Sequence, residues 1–142
     1  VRAMKRIMFV CKKNSRRSQM AEGFARQLGA GQVVVASAGL EESYVDPLAV
    51  QVMQEVGIDI SQQTSKPLAQ FNPADFDGVI SLCGCGVNLP PEWLDREVFA
   101  DWQLEDPEGQ GIATFRMVRD QIKERVIELL SSLSSSFCGS KN

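Results

Sequence analysis

The chain predicts an α/β fold: an open four-stranded parallel sheet with helices on both faces. Three observations carry this. Apolar strand-like runs alternate with segments of helical periodicity. The 142 residues suit one domain, long enough to bury a sizeable core without staples. The cysteines and carboxylates with chemical potential fall just past the ends of strands, where ligands sit in open parallel sheets.

The elements follow in order. Lys5–Val10 reads as a buried strand. From about Arg17 to Leu28, Met20, Ala21, Phe24, Ala25 and Leu28 recur at helical spacing, and Gly29 is a natural stop. Val33–Ser37 reads as a second strand. Asp46 and Pro47 open another helix as N-cap and first turn. Ala49, Val52, Met53 and Val56 would face inward, and Gly57 ends it. A short helical stretch near Asn72–Asp75 precedes a third strand, Gly78–Leu82, and Glu97–Asp101 is a fourth. The last helix, about Ile112–Leu133, would bury Phe115, Val118, Ile122, Val126, Leu129 and Leu133. Residues 1–133 form the expected domain, and 134–142 a serine-rich, flexible tail.

Composition narrows the function. No apolar run can span a bilayer and no signal-peptide pattern is present. The four cysteines therefore read as reduced, active thiols of a cytoplasmic protein rather than a disulfide framework. The absence of histidine removes Ser-His-Asp and Cys-His mechanisms and argues against a zinc site. The net charge of −3 hides a basic start: Arg2, Lys5, Arg6, Lys12, Lys13, Arg16 and Arg17. The block suits steering of a small anion. It is too short, and too poor in interleaved aromatics, for nucleic acid.

The stretch IMFVCKKNSRRSQM, residues 7–20, is the most informative. An apolar strand ends in Cys11, and Arg17 follows at the start of a helix. A thiol, a polar loop (Lys12, Lys13, Asn14, Ser15, Arg16) and a helix N-terminus together cradle a tetrahedral oxyanion. Arg17 grips two oxygens with its planar fork. The same positive field favours the thiolate form of Cys11. Ser18 fits two compatible roles, a donor to the sulfur and a helix cap. Asn14 tolerates a left-handed backbone. A buried structural cysteine is the alternative reading.

Two further segments carry chemistry. SLCGCG, residues 81–86, places Cys83 and Cys85 on a glycine-flanked turn. A cramped C-x-C disulfide is easily reduced, which suits a transient electron carrier. Cys138, in the serine-rich tail, reads as a bystander. The acidic loop with Asp101, Glu105, Asp106 and Glu108 offers a general acid; residue chemistry alone does not choose among the four.

These motifs resemble the low-molecular-weight protein tyrosine phosphatase fold, and more closely its arsenate reductase branch. The similarity rests on CKKNSRRSQMAE at Cys11–Glu22, SLCGC at Ser81–Cys85 and DWQLEDP at Asp101–Pro107, and spans about residues 4–133. It implies Cys11 as nucleophile, Arg17 as anion-binding arginine, Asp106 as general acid and Cys83 as resolving cysteine, with Cys85 the only candidate for a third thiol. Lys12–Ser18 would bind substrate. The C-x-C spacing resembles the subgroup fed by glutathione and glutaredoxin; thioredoxin is the alternative donor. Three positions depart from the family pattern. Lys13 stands at a common glycine, and Arg16 at a common cysteine. Lys66 stands at an aspartate that, with side chains matching Asn14, Glu22 and Ser37, binds potassium in some members. The expectation is that the Lys66 ammonium replaces the ion.

The implied activity is arsenate reduction by a monomer with no bound cofactor or metal. Arsenate is the substrate, phosphate a competing anion, and glutathione the reductant. Phosphatase activity is the main rival, weakened by the scarcity of aromatic residues that could wall a phosphotyrosine ring: Tyr44 is alone between Gly29 and Gln70. An arsenite sensor would leave Arg17 and Asp106 idle, and a nucleotide-binding module lacks a glycine-rich phosphate motif.

Overall fold

A computed structural model describes residues 4–41, 43–83 and 89–139, with side chains through residue 133. Arg2 and Cys85, and the side chain of Cys138, lie outside the described residues. The element order is β1 (Lys5–Cys11), α1 (Arg17–Leu28), β2 (Val33–Gly39), α2 (Pro47–Gln54), β3 (Gly78–Ser81), α3 (Pro91–Leu94), β4 (Val98–Asp101) and α4 (Ile112–Gly139). Two 3-10 turns, Leu68–Gln70 and Pro73–Asp75, lie between α2 and β3.

The sheet is parallel in the order β2-β1-β3-β4. The chain passes to opposite sides of β1 to build β2 and β3. The carboxyl end of β1, where Cys11 sits, is therefore the switch point at which such sheets bind ligands. Strand alternation divides the core. Ile7, Phe9, Ile80 and Leu82 join the residues of α1, α2 and α4 on one face. Met8, Val10 and Val79 pack with Leu68, Phe76, Leu89 and Trp93 on the other. Among the described residues this second face is covered by α3, the 3-10 turns and the adjoining Phe76 and Leu89, so both faces are closed as expected, but unequally.

The expected strands and long helices are present. Three apolar positions singled out by their helical spacing stay out of the core: Leu28 and Val56 are exposed, and Leu129 is only partly buried beside it. Leu28 is in phase with Phe24 but closes the last turn of α1. Val56 lies past the end of α2, in the turn that Gly57 closes with φ +82°. On α4 it is Leu130 that enters the core. Asp46 caps α2 as expected, accepting from Leu48 N at 2.9 Å. The α3 turn was not foreseen; four residues are too few to show a period. The backbone of α4 continues past Leu133 to Gly139, since the run of serines contains no glycine or proline to stop it.

Candidate active site

The loop between β1 and α1 is shaped from outside. Its five successive carbonyls are all engaged by neighbouring elements. Leu40 N bonds Cys11 O and Glu41 N bonds Lys12 O. Ser65 Oγ donates to Lys13 O and Gln19 Nε2 to Asn14 O. Asp46 N bonds Ser15 O. In a trans peptide the N–H points opposite to the carbonyl, and no cis bond is present among the described residues. The amides of residues 12–16 thus turn toward a common centre, which makes an anion-binding nest. Asn14 supplies the required bend with φ 54°, the only non-glycine positive φ among the described residues. Lys13 is not left-handed, so its replacement of glycine brings no backbone strain.

The resulting cradle has a volume of about 130 Å³ and is lined by Cys11, Lys12, Lys13, Ser15, Arg16, Arg17, Asp106 and Glu108. Cys11 is a free thiol, 3% exposed, at its floor. Its sulfur lies 2.9 Å from Ser18 Oγ. Asn14 Nδ2 donates to that hydroxyl at 2.8 Å, which leaves the hydroxyl hydrogen for the sulfur. Ser18 therefore serves Cys11; α1 has no side-chain cap, and Arg16 is its N-cap residue.

Asn14 and Ser18 face away from the cradle, into a buried network. Asn14 also donates to Ser37 Oγ at 2.9 Å and accepts from Lys66 N. Ser37 donates to Glu22, which pairs with Arg26. Lys66 Nζ donates to Thr64 O at 2.6 Å. Burial pulls the Lys66 ammonium below its ordinary range, Glu22 opposes this and Arg26 adds to it. Glu22 thus acts on the Lys66 ammonium through its field, while the ammonium's hydrogen bond goes to Thr64 O and Asn14 is met by the Lys66 backbone N–H.

Arg17 is buried and anchored by Nη1 to Leu104 O at 2.8 Å and Leu82 O at 3.3 Å. Its Nε is buried with no acceptor among the described residues, a donor suited to an oxyanion. Arg16 turns instead to the acidic groups. It bonds Asp106 at 2.9 Å, Asp46 at 3.1 Å and Glu108 at 3.3 Å. Burial lowers the Arg16 pKa, but Asp46, Asp106 and Glu108 together raise it further. Asp106 lies 3.5 Å from Arg17 Nη2. Burial alone would raise its carboxyl; the Glu108 N–H, Arg17 and Arg16 hold it below the usual carboxylate range. Among the four acidic candidates, Asp106 and Glu108 reach the cradle. Residues 6–137 match the family described as low molecular weight phosphotyrosine protein phosphatase.

The chain belongs to that family. It is 64% identical over 131 residues to "Glutaredoxin arsenate reductase" of Synechocystis sp., covering 92% of this chain and all of that one. It is 43% identical over 122 residues to an arsenate reductase of Staphylococcus aureus, covering 84% and 91%. A solved arsenate reductase in a phosphate-binding state superposes with a TM-score of 0.87 at 64% identity, covering 91% and 98%.

Family motifs indicate the cradle but not what shapes it. Gln19, Asp46 and Ser65, which pin the loop, carry no local signal, because their partners are set by tertiary packing. The acidic surplus facing the basic loop was the available sign that Arg16 would bind carboxylates. Cys83 follows β3, its sulfur 3.8 Å from Ser81 Oγ. It is disulfide-bonded, whereas Cys11 is free.

Proposed function

We infer that this chain reduces arsenate to arsenite, with Cys11 as nucleophile, Cys83 and Cys85 as the sulfur relay, and glutathione with glutaredoxin as electron source. The observation that carries the reading is the free Cys11 sulfur at the floor of a small cationic cradle, in a chain 64% identical to a glutaredoxin arsenate reductase. The loop amides and Arg17 hold the oxyanion. The Cys11 thiolate attacks arsenic, and the departing oxygen takes a proton and leaves as water. A second thiol then attacks the Cys11 sulfur. The S–S bond forms, the S–As bond breaks, and its electron pair stays on arsenic, which leaves as As(III). Glutathione, through glutaredoxin, reduces the disulfide.

Asp106 is the proton donor in this reading. In the free protein it is an ionised partner of Arg16 and Arg17. A bound oxyanion competes for Arg17, and its negative charge favours the protonated carboxyl. Phosphatase activity is minor: the cradle lining contains no aromatic residue among the described residues, and Tyr44 is 65% exposed. No described helix is long and apolar enough to cross a membrane. The proposed setting is a cytoplasmic monomer, where glutathione returns the Cys83 disulfide to thiols after each turnover.

The test compares arsenate-dependent thiol oxidation with aryl phosphate hydrolysis, under glutathione plus glutaredoxin and under thioredoxin plus its reductase. Arsenate reduction should dominate and should prefer the first system. Cys11→Ser should abolish it. Full turnover by both Cys83→Ser and Cys85→Ser would refute the relay.

A further inference from the structure

Arg16 lines the cradle, but protein acceptors already take its guanidinium. Nε donates to Asp106 Oδ1 at 2.9 Å. Nη1 donates to Asp46 Oδ2 at 3.1 Å and to Ser15 Oγ at 3.3 Å, and Nη2 lies 3.3 Å from Glu108 Oε1. Each of its nitrogens thus has a partner, whereas Arg17 keeps a buried Nε with none among the described residues. Arg17 has a donor left for an oxyanion; the work of Arg16 lies elsewhere. Its partners are not held equally. Asp46 is largely buried and fixed twice, by Oδ1 as the cap of α2 and by its N–H on Ser15 O. Asp106 and Glu108 are more exposed. They are followed by Gly109 and Gly111, both at positive φ, and a Cβ on either would meet nothing within 4 Å. Pro107 is buried, which seats the backbone, but a carboxylate on rotatable bonds is aimed by its donors. Arg16 therefore joins a fixed carboxylate on α2 to one that reaches the cradle, and a planar fork holds both at once.

We propose that Arg16 is a positioning residue for proton delivery, tying Asp106 to the N-terminus of α2 so that its carboxyl stays at the departing oxygen when an oxyanion fills the cradle. This rests on the reading of Asp106 as the proton donor. In the free protein two guanidiniums hold Asp106, and they hold different oxygens. Oδ1 accepts from Arg16 at 2.9 Å and from Glu108 N at 3.1 Å. Oδ2 lies 3.5 Å from Arg17 Nη2. A bound oxyanion draws on Arg17 and loosens its hold on Oδ2. Arg16 is not drawn with it, because Asp46 and Glu108 keep it in place. The tie through Oδ1 therefore outlasts substrate binding, and Oδ2 is the oxygen released to carry the proton. Arg16 touches no reacting atom; it acts through Asp106.

The experiment follows arsenite release in a single turnover of pre-reduced full-length protein across arsenate concentrations, which separates the maximal rate from half-saturation. Arg16→Lys keeps the charge and loses the fork. Its maximal rate should fall about tenfold or more, with half-saturation unchanged. In an Asp106→Asn background the same substitution should add no further loss, because no proton donor is left to aim. Asp46→Asn still offers an oxygen to cap α2 but removes the carboxylate that anchors Arg16. It should give the same pair of results, and it carries the test if Arg16→Lys folds poorly. Losses that persist undiminished in Asp106→Asn would make Arg16 a structural residue only and overturn the proposal. So would weaker half-saturation at an unchanged maximal rate, the mark of an arsenate ligand, and so would wild-type kinetics in both Arg16→Lys and Asp46→Asn. Asp106→Asn alone separates the two failures. Full turnover by it would sink the proton-donor reading and this one together. A slow Asp106→Asn beside any of the overturning results would sink the role of Arg16 alone.

Discussion

In the proposed reaction Cys11 works without an imidazole, since the chain contains no histidine. Its sulfur meets one hydroxyl, from Ser18, and shares the cradle with Arg17. A hydrogen bond to a charged group contributes about 1.5–3 kcal/mol. Ser18→Ala should therefore slow alkylation of Cys11 at pH 7 by about tenfold or more, measured with an iodoacetamide time course, while added phosphate still protects the thiol. Asp106→Asn should lower arsenate turnover by about 10²–10⁴-fold, read from initial rates. It should also change the acid limb of stability. The folded Asp106 carboxyl lies below its ordinary value of 3.8, so its contribution is present above that pH. It is lost as pH falls through the lower folded value. Melting curves of wild type and Asp106→Asn should converge below about pH 4, with wild type the more stable above it. Solvent contact keeps this difference small, since the Asp106 side chain is 37% exposed.

At the scale of elements, the cradle is held by the end of β2 as much as by β1 and α1. Gly39, the last residue of β2, bonds Lys66 O through its N–H. A Cβ at Gly39 would lie 2.7 Å from Asn14 N and Lys13 C and 2.8 Å from Glu41 O, all backbone atoms. The missing side chain is therefore what lets the loop pack on the strand. Gly39→Ala should cost about 1–3 kcal/mol in urea unfolding and should weaken phosphate protection of Cys11. A substitution with only a local strand effect would leave that protection intact. Glycine in a strand end was legible as a residue type, but the approaching loop was not. The strands and long helices themselves were legible because their apolar spacing repeats over several residues. The α3 turn and the extension of α4 were not, because the first is too short for a period and the second depends on the absence of a stop.

Across the whole molecule, a net charge of −3 coexists with a cationic cradle. Folding brings basic residues from one short segment to a single strand end and sets acidic residues from the β4–α4 connection against them. Behind the cradle, Lys66 supplies positive charge near Glu22 and is tied to Thr64. Potassium should therefore stabilise the protein no more than sodium at equal ionic strength, and thermal melts in the two chlorides should coincide. A specific rise of Tm in potassium would show that Lys66 does not take the place of the ion. The candidate site was legible to a similar degree. Cys11, Arg17 and Asp106 stand in motifs, and the structure brings them together. The turn of Asn14 away from the cradle into a buried network, and the binding of Arg16 to three carboxylates, follow from partners far away in sequence.

The sequence by itself determined the α/β class, the sheet edge where the cradle lies, and the residues proposed as nucleophile and anion-binding arginine. Each of these depends on local spacing or on residue type. Only the tertiary structure decided which carboxylates enter the cradle, which way the loop amides face, and that Arg16 ties Asp106 to Asp46. Those outcomes depend on strand register and on hydrogen bonds between segments tens of residues apart, which no local pattern encodes.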